Sequence, residues 1–334
     1  MTRMKHGKFL ILAVVLLVLS VAIPFTGPYI ILLATQVLIF AILALSVDLL
    51  LGYTGLPSLG QAAYLGVGAY LTAILATRFE FGLGCDFGLM LILGIAAGAL
   101  TAAAFGLFAI RATGVYFLMI TLALGMCMWG LVYRWNAVTG GDNGINVLFR
   151  PHCGIDLSSD FSFFYFVFAI FVAALALLWL LVNSPFGRSL VGIRESEERM
   201  KMLGYNTWLH KYLAFIIAGG YGGLAGVLWT HLNGIVAPDD VVLTTSVDAL
   251  LMVVLGGAGK LVGGPIGAAA VVFLREYLSI LVVWWQYVLG GVYVLTILFL
   301  PGGLMGIPER IGLKRRDNGR KKEADFEPSA SIGS

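Results

Sequence analysis

The stretch LGYTGLPSLGQAAYLGVGAYLT, residues 51–72, decides how the chain is read. It places Gly52, Gly55, Gly60, Gly66, Gly68 and Pro57 within an otherwise apolar sequence. Glycine weakens a helix and proline removes a backbone donor. In lipid, irregular backbone persists only where protein buries it or where it lines a water-filled cavity. The expectation is a broken helix inside a membrane domain, along the path of a transported solute.

The rest of the chain agrees with a membrane setting. Its 334 residues are 60% hydrophobic and 12% charged, and the mean hydropathy is +0.95. That composition excludes a soluble globular protein. A span needs about 20 apolar residues. Candidate spans cover 9–26, 29–51, 57–77, 87–110, 113–135, 161–183, 209–232, 245–259, 262–284 and 286–306. The fold class is therefore all-α: a polytopic membrane protein with about ten transmembrane or half-spanning helices. The third and eighth candidates are short or glycine-interrupted. The membrane domain runs over 1–308, and 309–334 forms a polar tail expected to be disordered and to lie against anionic lipid. The apolar run after MTRMKHGK reads as a retained first span, with a cleaved signal as the alternative.

Charge placement orients the spans through the positive-inside rule. With the N-terminus, residue 111, residues 184–211, residue 260 and the tail in the cytoplasm, only Arg78, Arg134, Arg150 and Arg275 of the 21 basic residues lie elsewhere. Both termini are then cytoplasmic. The net charge of +3 leaves no footprint for nucleic acid. The outer loop 136–160 is turn-rich and reads either as a structured cap or as a plain connector. Within the inner loop 184–208, residues 190–203 read as one amphipathic helix. Leu190, Ile193, Met200 and Leu203 form its apolar strip, and Arg194, Glu195, Glu197, Glu198, Arg199 and Lys201 its charged face. Gly204 ends it. Such a helix either lies on lipid headgroups or docks a cytoplasmic partner.

A second glycine-rich stretch occupies 255–274, LGGAGKLVGGPIGAAAVVFL. Setting Leu51 on Leu255 brings Gly52 onto Gly256, Gly55 onto Gly259 and Gly60 onto Gly264. Interrupted helices in internal repeats are a common way for transporters to build a site, and the span count gives the two copies one orientation. The segment GAGKL resembles a phosphate-binding loop but fails its requirements. Val254 stands where the motif needs glycine, and Leu261 where it needs Ser or Thr. ATP binding and cofactors are not expected on this chain.

The ionisable residues Asp48, Asp248, Arg275 and Glu276 fall within or near apolar spans, where charges face the protein interior or water. Asp48 and Asp248 read as contacts for a substrate ammonium, as caps of a broken helix, or as partner-facing groups. Arg275 and Glu276 point in different directions on a helix and so need partners on other helices. Ser58 and Gln61 add polar groups to the first glycine stretch. The expected solute pathway thus comprises Asp48, Gly52, Gly55, Ser58, Gly60, Gln61, Asp248, Gly256, Gly259 and Gly264. Trp179, Trp208, Trp284 and Trp285 lie at span ends as interface anchors. Cys127 reads as core packing, while Cys85 and Cys153 are either bridged or free. No metal cluster or nucleophile–base pair stands out.

Several stretches together carry a resemblance: GYTGLPSLGQAAYLGVGAY (52–70), GVYFLMITLALG (114–125), TGGDNGI (139–145), SPFGRSLVGIRESEERMKMLG (184–204), LLMVVLGGAGKLVGGPIGAA (250–269) and PGGLMGI (301–307). In this order the chain resembles the LivM-type permease subunits of branched-chain amino acid ABC transporters. The resemblance implies a bacterial inner-membrane subunit with no enzymatic activity of its own. It implies a second, related permease, two cytoplasmic ATPase subunits that bind ATP, and a periplasmic or lipid-anchored substrate-binding protein. It also implies that Gly187, Arg188, Arg194, Glu195, Glu197, Glu198, Arg199 and Gly204 belong to the loop that couples to the ATPase. Two departures, Asp48 for the usual Asn and Lys260 for the usual Thr or Ser, leave the solute open among branched-chain amino acids, urea, amides and other amino acids. A stand-alone channel or an ion-coupled carrier is the rival reading.

Overall fold

A computed structural model describes residues 27–78, 87–147, 159–281, 284–299 and 303–306. The expected first span, the polar tail, Cys85 and Cys153 lie outside the described residues. Nine of the ten expected spans are helices. They are α1 (Pro28–Asp48), α2 (Gln61–Arg78), α3 (Phe87–Ala109), α4 (Val115–Arg134), α5 (Asp160–Asn183), α8 (Thr207–Asn233), α9 (Leu243–Gly256), α10 (Gly263–Leu281) and α11 (Trp285–Phe299). The inner-loop helices α6 (Pro185–Glu195) and α7 (Glu197–Met202) lie between α5 and α8. Among the described residues, six helices are long and apolar enough to cross a membrane: α1 with its extension to Thr54, α3, α4, α5, α8 and α10.

α1, α3, α4 and α5 are apolar almost all round, so their sequences do not separate a core face from a lipid face. Packing does. α1 and α8 are mostly buried, whereas α3, α4, α5 and α10 keep most of their surface open. α1 runs through the centre, in contact with α5, α8, α9 and α10. Lipid offers no hydrophobic drive between helices, so close packing has to come from small residues. Gly223 of α8 supplies it. A Cβ there would overlap the Gly94 carbonyl and approach the Gly98 backbone of α3, and Gly68 of α2 lies against the same residue.

At one end, Arg78 at the close of α2 donates to the Ala137 carbonyl. Nearby, β1 (Ile145–Asn146) pairs antiparallel with β2 (Ile235–Val236), Ile145 opposite Val236. The described part of the 136–160 loop is therefore structured. It surrounds an open cleft of about 500 Å³ lined by Tyr133, Arg134, Asn136, Gly140, Asp142 and Asn143. Beyond β2 the chain turns back through Pro238–Val241, and Val241 meets Gly66 in the first half of α2. Asp240 holds this turn, accepting from Ala237 N at 3.0 Å and Trp229 Nε1 at 2.9 Å. α9 starts from this recessed point. Its 14 residues span about 21 Å, short of the roughly 30 Å hydrocarbon layer. It is a half-spanning helix, as its sequence suggested.

Two expectations need correction. Residues 190–203 form two helices, not one. Ser196 ends α6 in an extended conformation, and its hydroxyl accepts from Arg199 N to start α7. Cys127 is exposed on α4 rather than packed in the core. The Gly223 contact predicts a clear contrast. Gly223→Ala should destabilise the detergent-solubilised protein by about 1–3 kcal/mol through overpacking against backbone. Gly130→Ala, with open space around it, should be neutral or better, as read by thermal unfolding of the two variants.

Candidate functional site

The first glycine stretch does break a helix. α1 widens into one π-helical turn, Leu49–Thr54, and stops at Gly55 with φ 72°. Only glycine enters this left-handed region without strain. The N–H groups of Gly55 and Leu56 both return to the Leu50 carbonyl. Residues 55–60 then cross to α2 without regular structure. Donors stranded in lipid must find partners, and here side chains from other elements supply them. Leu59 N donates to Thr121 Oγ1 of α4 at 3.1 Å, and Ala62 N to Ser246 Oγ of α9 at 2.9 Å. Ser58 Oγ accepts from Gly60 N at 3.3 Å. Ser46 Oγ of α1 donates to Gln61 Oε1 at 2.8 Å. Gln61 Nε2 and the Tyr64 hydroxyl remain buried and unpartnered.

The second stretch breaks in the same way. α9 ends at Gly256, Gly257 and Gly259 take positive φ, and α10 begins at Gly263. Gly259, with φ 80°, is the residue aligned with Gly55. The two breaks meet. A Cβ on Gly52 would overlap both Asp48 Oδ1 and the Gly259 nitrogen. Asp48, fully buried, accepts from Gly259 N at 2.7 Å. Gly256 packs on Gly263 and Gly267 on Met252, so α10 turns back along α9; from Gly259 at Gly52 to Gly264 at Ala44 it also runs back along α1, so α1 and α9 run toward the same end of the bundle.

The contact between the breaks also includes the inner-loop helices. Arg194, in the last turn of α6, donates through Nη1 to the Gly52 carbonyl. A Cβ at Gly55 would lie 3.0 Å from Arg194 Cγ, and one at Gly259 would lie 3.0 Å from Arg194 Nη1. One side chain therefore touches both breaks, and its charge lies close enough to act on Asp48. Behind it, Glu197 fixes α7 to α8. It bonds Lys211 and pairs with Lys201 at 3.0 Å, while Thr207 Oγ1 donates to it at 3.2 Å. Burial alone would raise the Glu197 carboxyl. The hydrogen bonds and charges of Lys211 and Lys201 outweigh burial and hold it below its ordinary value.

The residues expected along the solute path divide into groups. Asp48, Gly52, Gly55 and Gly259 meet at the junction, and Ser58, Gly60 and Gln61 follow in the first break. Gly256 packs on the Gly263 carbonyl and Gly264 on Ala44 of α1. Asp248 lies apart, paired with Arg275 at 3.9 Å. Glu276 accepts from the Tyr29 hydroxyl at 3.3 Å, so both residues of the 275–276 pair use other helices. Among the expected coupling residues, Gly187 N is capped by Ser184 Oγ, Arg188 bonds the Asn183 carbonyl, and Gly204 closes α7 with φ 84°. Arg194, Glu195, Glu198 and Arg199 are all exposed, Arg194 while reaching the Gly52 carbonyl. Thr121, Ser246, Tyr64 and Lys211 complete the arrangement. Sequence reasoning passed over the first three because isolated hydroxyls in apolar helices carry no signal of what they cap.

Comparison with known proteins gives a consistent result. Residues 29–298 match the family described as "Branched-chain amino acid transport system / permease component". The high-affinity branched-chain amino acid transport system permease protein LivM of Escherichia coli K12 is 29% identical over 96% of this chain and 80% of its own length. The probable branched-chain amino acid transport permease protein LivM of Methanocaldococcus jannaschii is 28% identical over 81% and 91%. An autoinducer 2 import system permease protein, LsrC of Salmonella choleraesuis, is 30% identical over 40% of each chain. No solved structure matches the chain. The chain belongs to the branched-chain amino acid permease family, as a multi-pass transport subunit of the ABC type and not an enzyme.

Proposed function

We propose that this chain is the membrane-spanning permease subunit of an ATP-driven importer for branched-chain amino acids, in a bacterial inner membrane with the α6–α7 hairpin on the cytoplasmic side. A second, related permease completes the pathway, two ATPase subunits bind and hydrolyse ATP, and a substrate-binding protein delivers the solute at the opposite face. The observation that carries this reading is the two-sided character of the hairpin. Inwardly, Arg194 reaches the junction of both breaks. Outwardly, Met202 and Leu203 stand 87% and 72% exposed at the end of α7. Apolar side chains so exposed beside a charged helix are anchors seeking a protein groove. A hairpin that only lay on lipid would have no use for the inward link.

The mechanism follows from the links. Closure of the ATPase pair moves the exposed end of α7. The tether from Glu197 to Lys211 transmits part of that motion to α8, and Arg194 transmits part to both broken helices. Packed contacts of this kind have discrete arrangements rather than continuous ones, so the breaks shift as a unit and access alternates. At the junction Asp48 and Gly52 are buried against the second break, so the glycines serve the movement of backbone past backbone.

Uptake measurements test the assignment. Proteoliposomes with the complete transporter, ATP inside the compartment facing the hairpin and binding protein on the other side should accumulate L-leucine. Vesicles holding this chain alone should take up none, and ATP-independent uptake by the chain alone would establish the channel or carrier reading instead. The tether gives a second prediction. Lys211 is nearly buried, its side chain 6% exposed, so Glu197→Gln leaves its charge uncompensated. Discounted for the partial exposure of Glu197, the loss should be about 1–3 kcal/mol. A lowered folded-state carboxyl stabilises above its unfolded value and loses that stabilisation as pH falls through the folded value. Thermal unfolding of wild type should therefore weaken below the carboxylate range by an increment that Glu197→Gln lacks.

A further inference from the structure

A second polar cluster lies away from the junction, between α9, α10 and α11. Asp248 stands five residues inside α9 and Arg275 twelve inside α10. Asp248 Oδ2 and Arg275 Nη1 are 3.9 Å apart, and the side chains are 24% and 38% exposed. The guanidinium lies over Trp285 at 5.8 Å from the ring centroid. Tyr293 of α11 is buried, its hydroxyl has no partner, and both charges are near enough to act on it.

An ion pair whose only task was to join α9 to α10 inside a membrane would be closed and shielded, because charges left open to lipid are costly. This pair is loose, and both side chains are only partly covered. A buried hydroxyl left unpaired beside it is a further cost unless something else fills its hydrogen bonds. The three groups together present an acceptor of positive charge, a fork of donors and a hydroxyl. An α-amino acid carries an ammonium and a carboxylate on one carbon, which is the matching set. Resting on the importer reading, we propose that Asp248, Arg275 and Tyr293 form a station in the translocation path for the zwitterionic head of an α-amino acid. Asp248 receives the ammonium, Arg275 takes the carboxylate through its planar fork, and the Tyr293 hydroxyl donates to the same carboxylate. The site is net neutral and so is its ligand, so binding stays weak enough for release onward, as conduction requires. Urea and amides, lacking both charges, find no comparable hold.

The test uses the complete transporter in proteoliposomes, with ATP, saturating binding protein and labelled L-leucine. Asp248→Asn, Arg275→Gln and the double variant are compared, with subunit co-purification and binding-protein-stimulated ATP hydrolysis measured alongside. The proposal expects at least a tenfold loss of uptake in each single variant and an equal or larger loss in the double variant. Assembly and stimulated hydrolysis should stay within twofold of wild type, and Arg275→Lys should retain more uptake than Arg275→Gln. Recovery of the double variant to within twofold of wild type would overturn the proposal, since the charges would then matter only to each other. Loss of co-purification with the second permease would overturn it in favour of a subunit contact. If the wild-type complex takes up no leucine, the importer reading itself fails and the station falls with it.

Discussion

The crossing of Gly52 over Gly259 is the constraint on which the rest depends. Two helices stop inside a lipid-facing bundle, and each stop strands backbone groups that lipid cannot satisfy. The breaks answer each other. The Gly259 N–H goes to Asp48, from the last turn of the helix that leads into the first break. The Gly52 carbonyl goes to Arg194. Neither contact survives a side chain on Gly52, since a Cβ there takes the space of Asp48 Oδ1 and the Gly259 backbone. The close approach is therefore a property of backbone against backbone, and small residues at both breaks are its condition.

The architecture around the crossing follows from it. α1 has to run through the middle of the bundle to bring Asp48 to the second break, and it is mostly buried. α9 has to arrive at the same end from a recessed start, so the chain before it turns back at Pro238–Val241, and α9 spans only part of the layer. The hairpin α6–α7 has to sit beneath both, held by Glu197 on Lys211. Arg194 then connects the hairpin to both interrupted helices. Energy delivered at the end of α7 has a short mechanical route to both breaks.

Much of this was legible in the sequence, and the limits have physical causes. Span positions were readable because a run of about 20 apolar residues leaves few alternatives in lipid. Both breaks were readable because glycine and proline interrupt such runs, and the alignment of Gly55 with Gly259 correctly paired two left-handed residues. The structure puts Arg78 with the 137 turn and Arg194 with the breaks. What escaped was long-range pairing. Arg194 looked like one of several charges on a surface helix, and nothing local marks it as the one that turns inward. The split at Ser196 was written locally, as a Ser followed by two acids that begin a helix, but the amphipathic period over 190–203 continues through it and masked the stop. Which face of an all-apolar helix meets lipid was not written at all, and Cys127 shows the consequence. Asp248 and Arg275 were visible as charges in apolar runs, but only the fold brings them together.

The central claim is that Arg194 carries motion from the hairpin to the crossed breaks. The ratio of ATP hydrolysed to leucine imported by the reconstituted complex tests it most directly, with wild type beside Arg194→Gln. The account predicts that the variant assembles and hydrolyses ATP at a rate near wild type while importing leucine at least tenfold more slowly, so that the ratio rises by the same factor. An unchanged ratio, with hydrolysis and import both kept or both falling together, would contradict it.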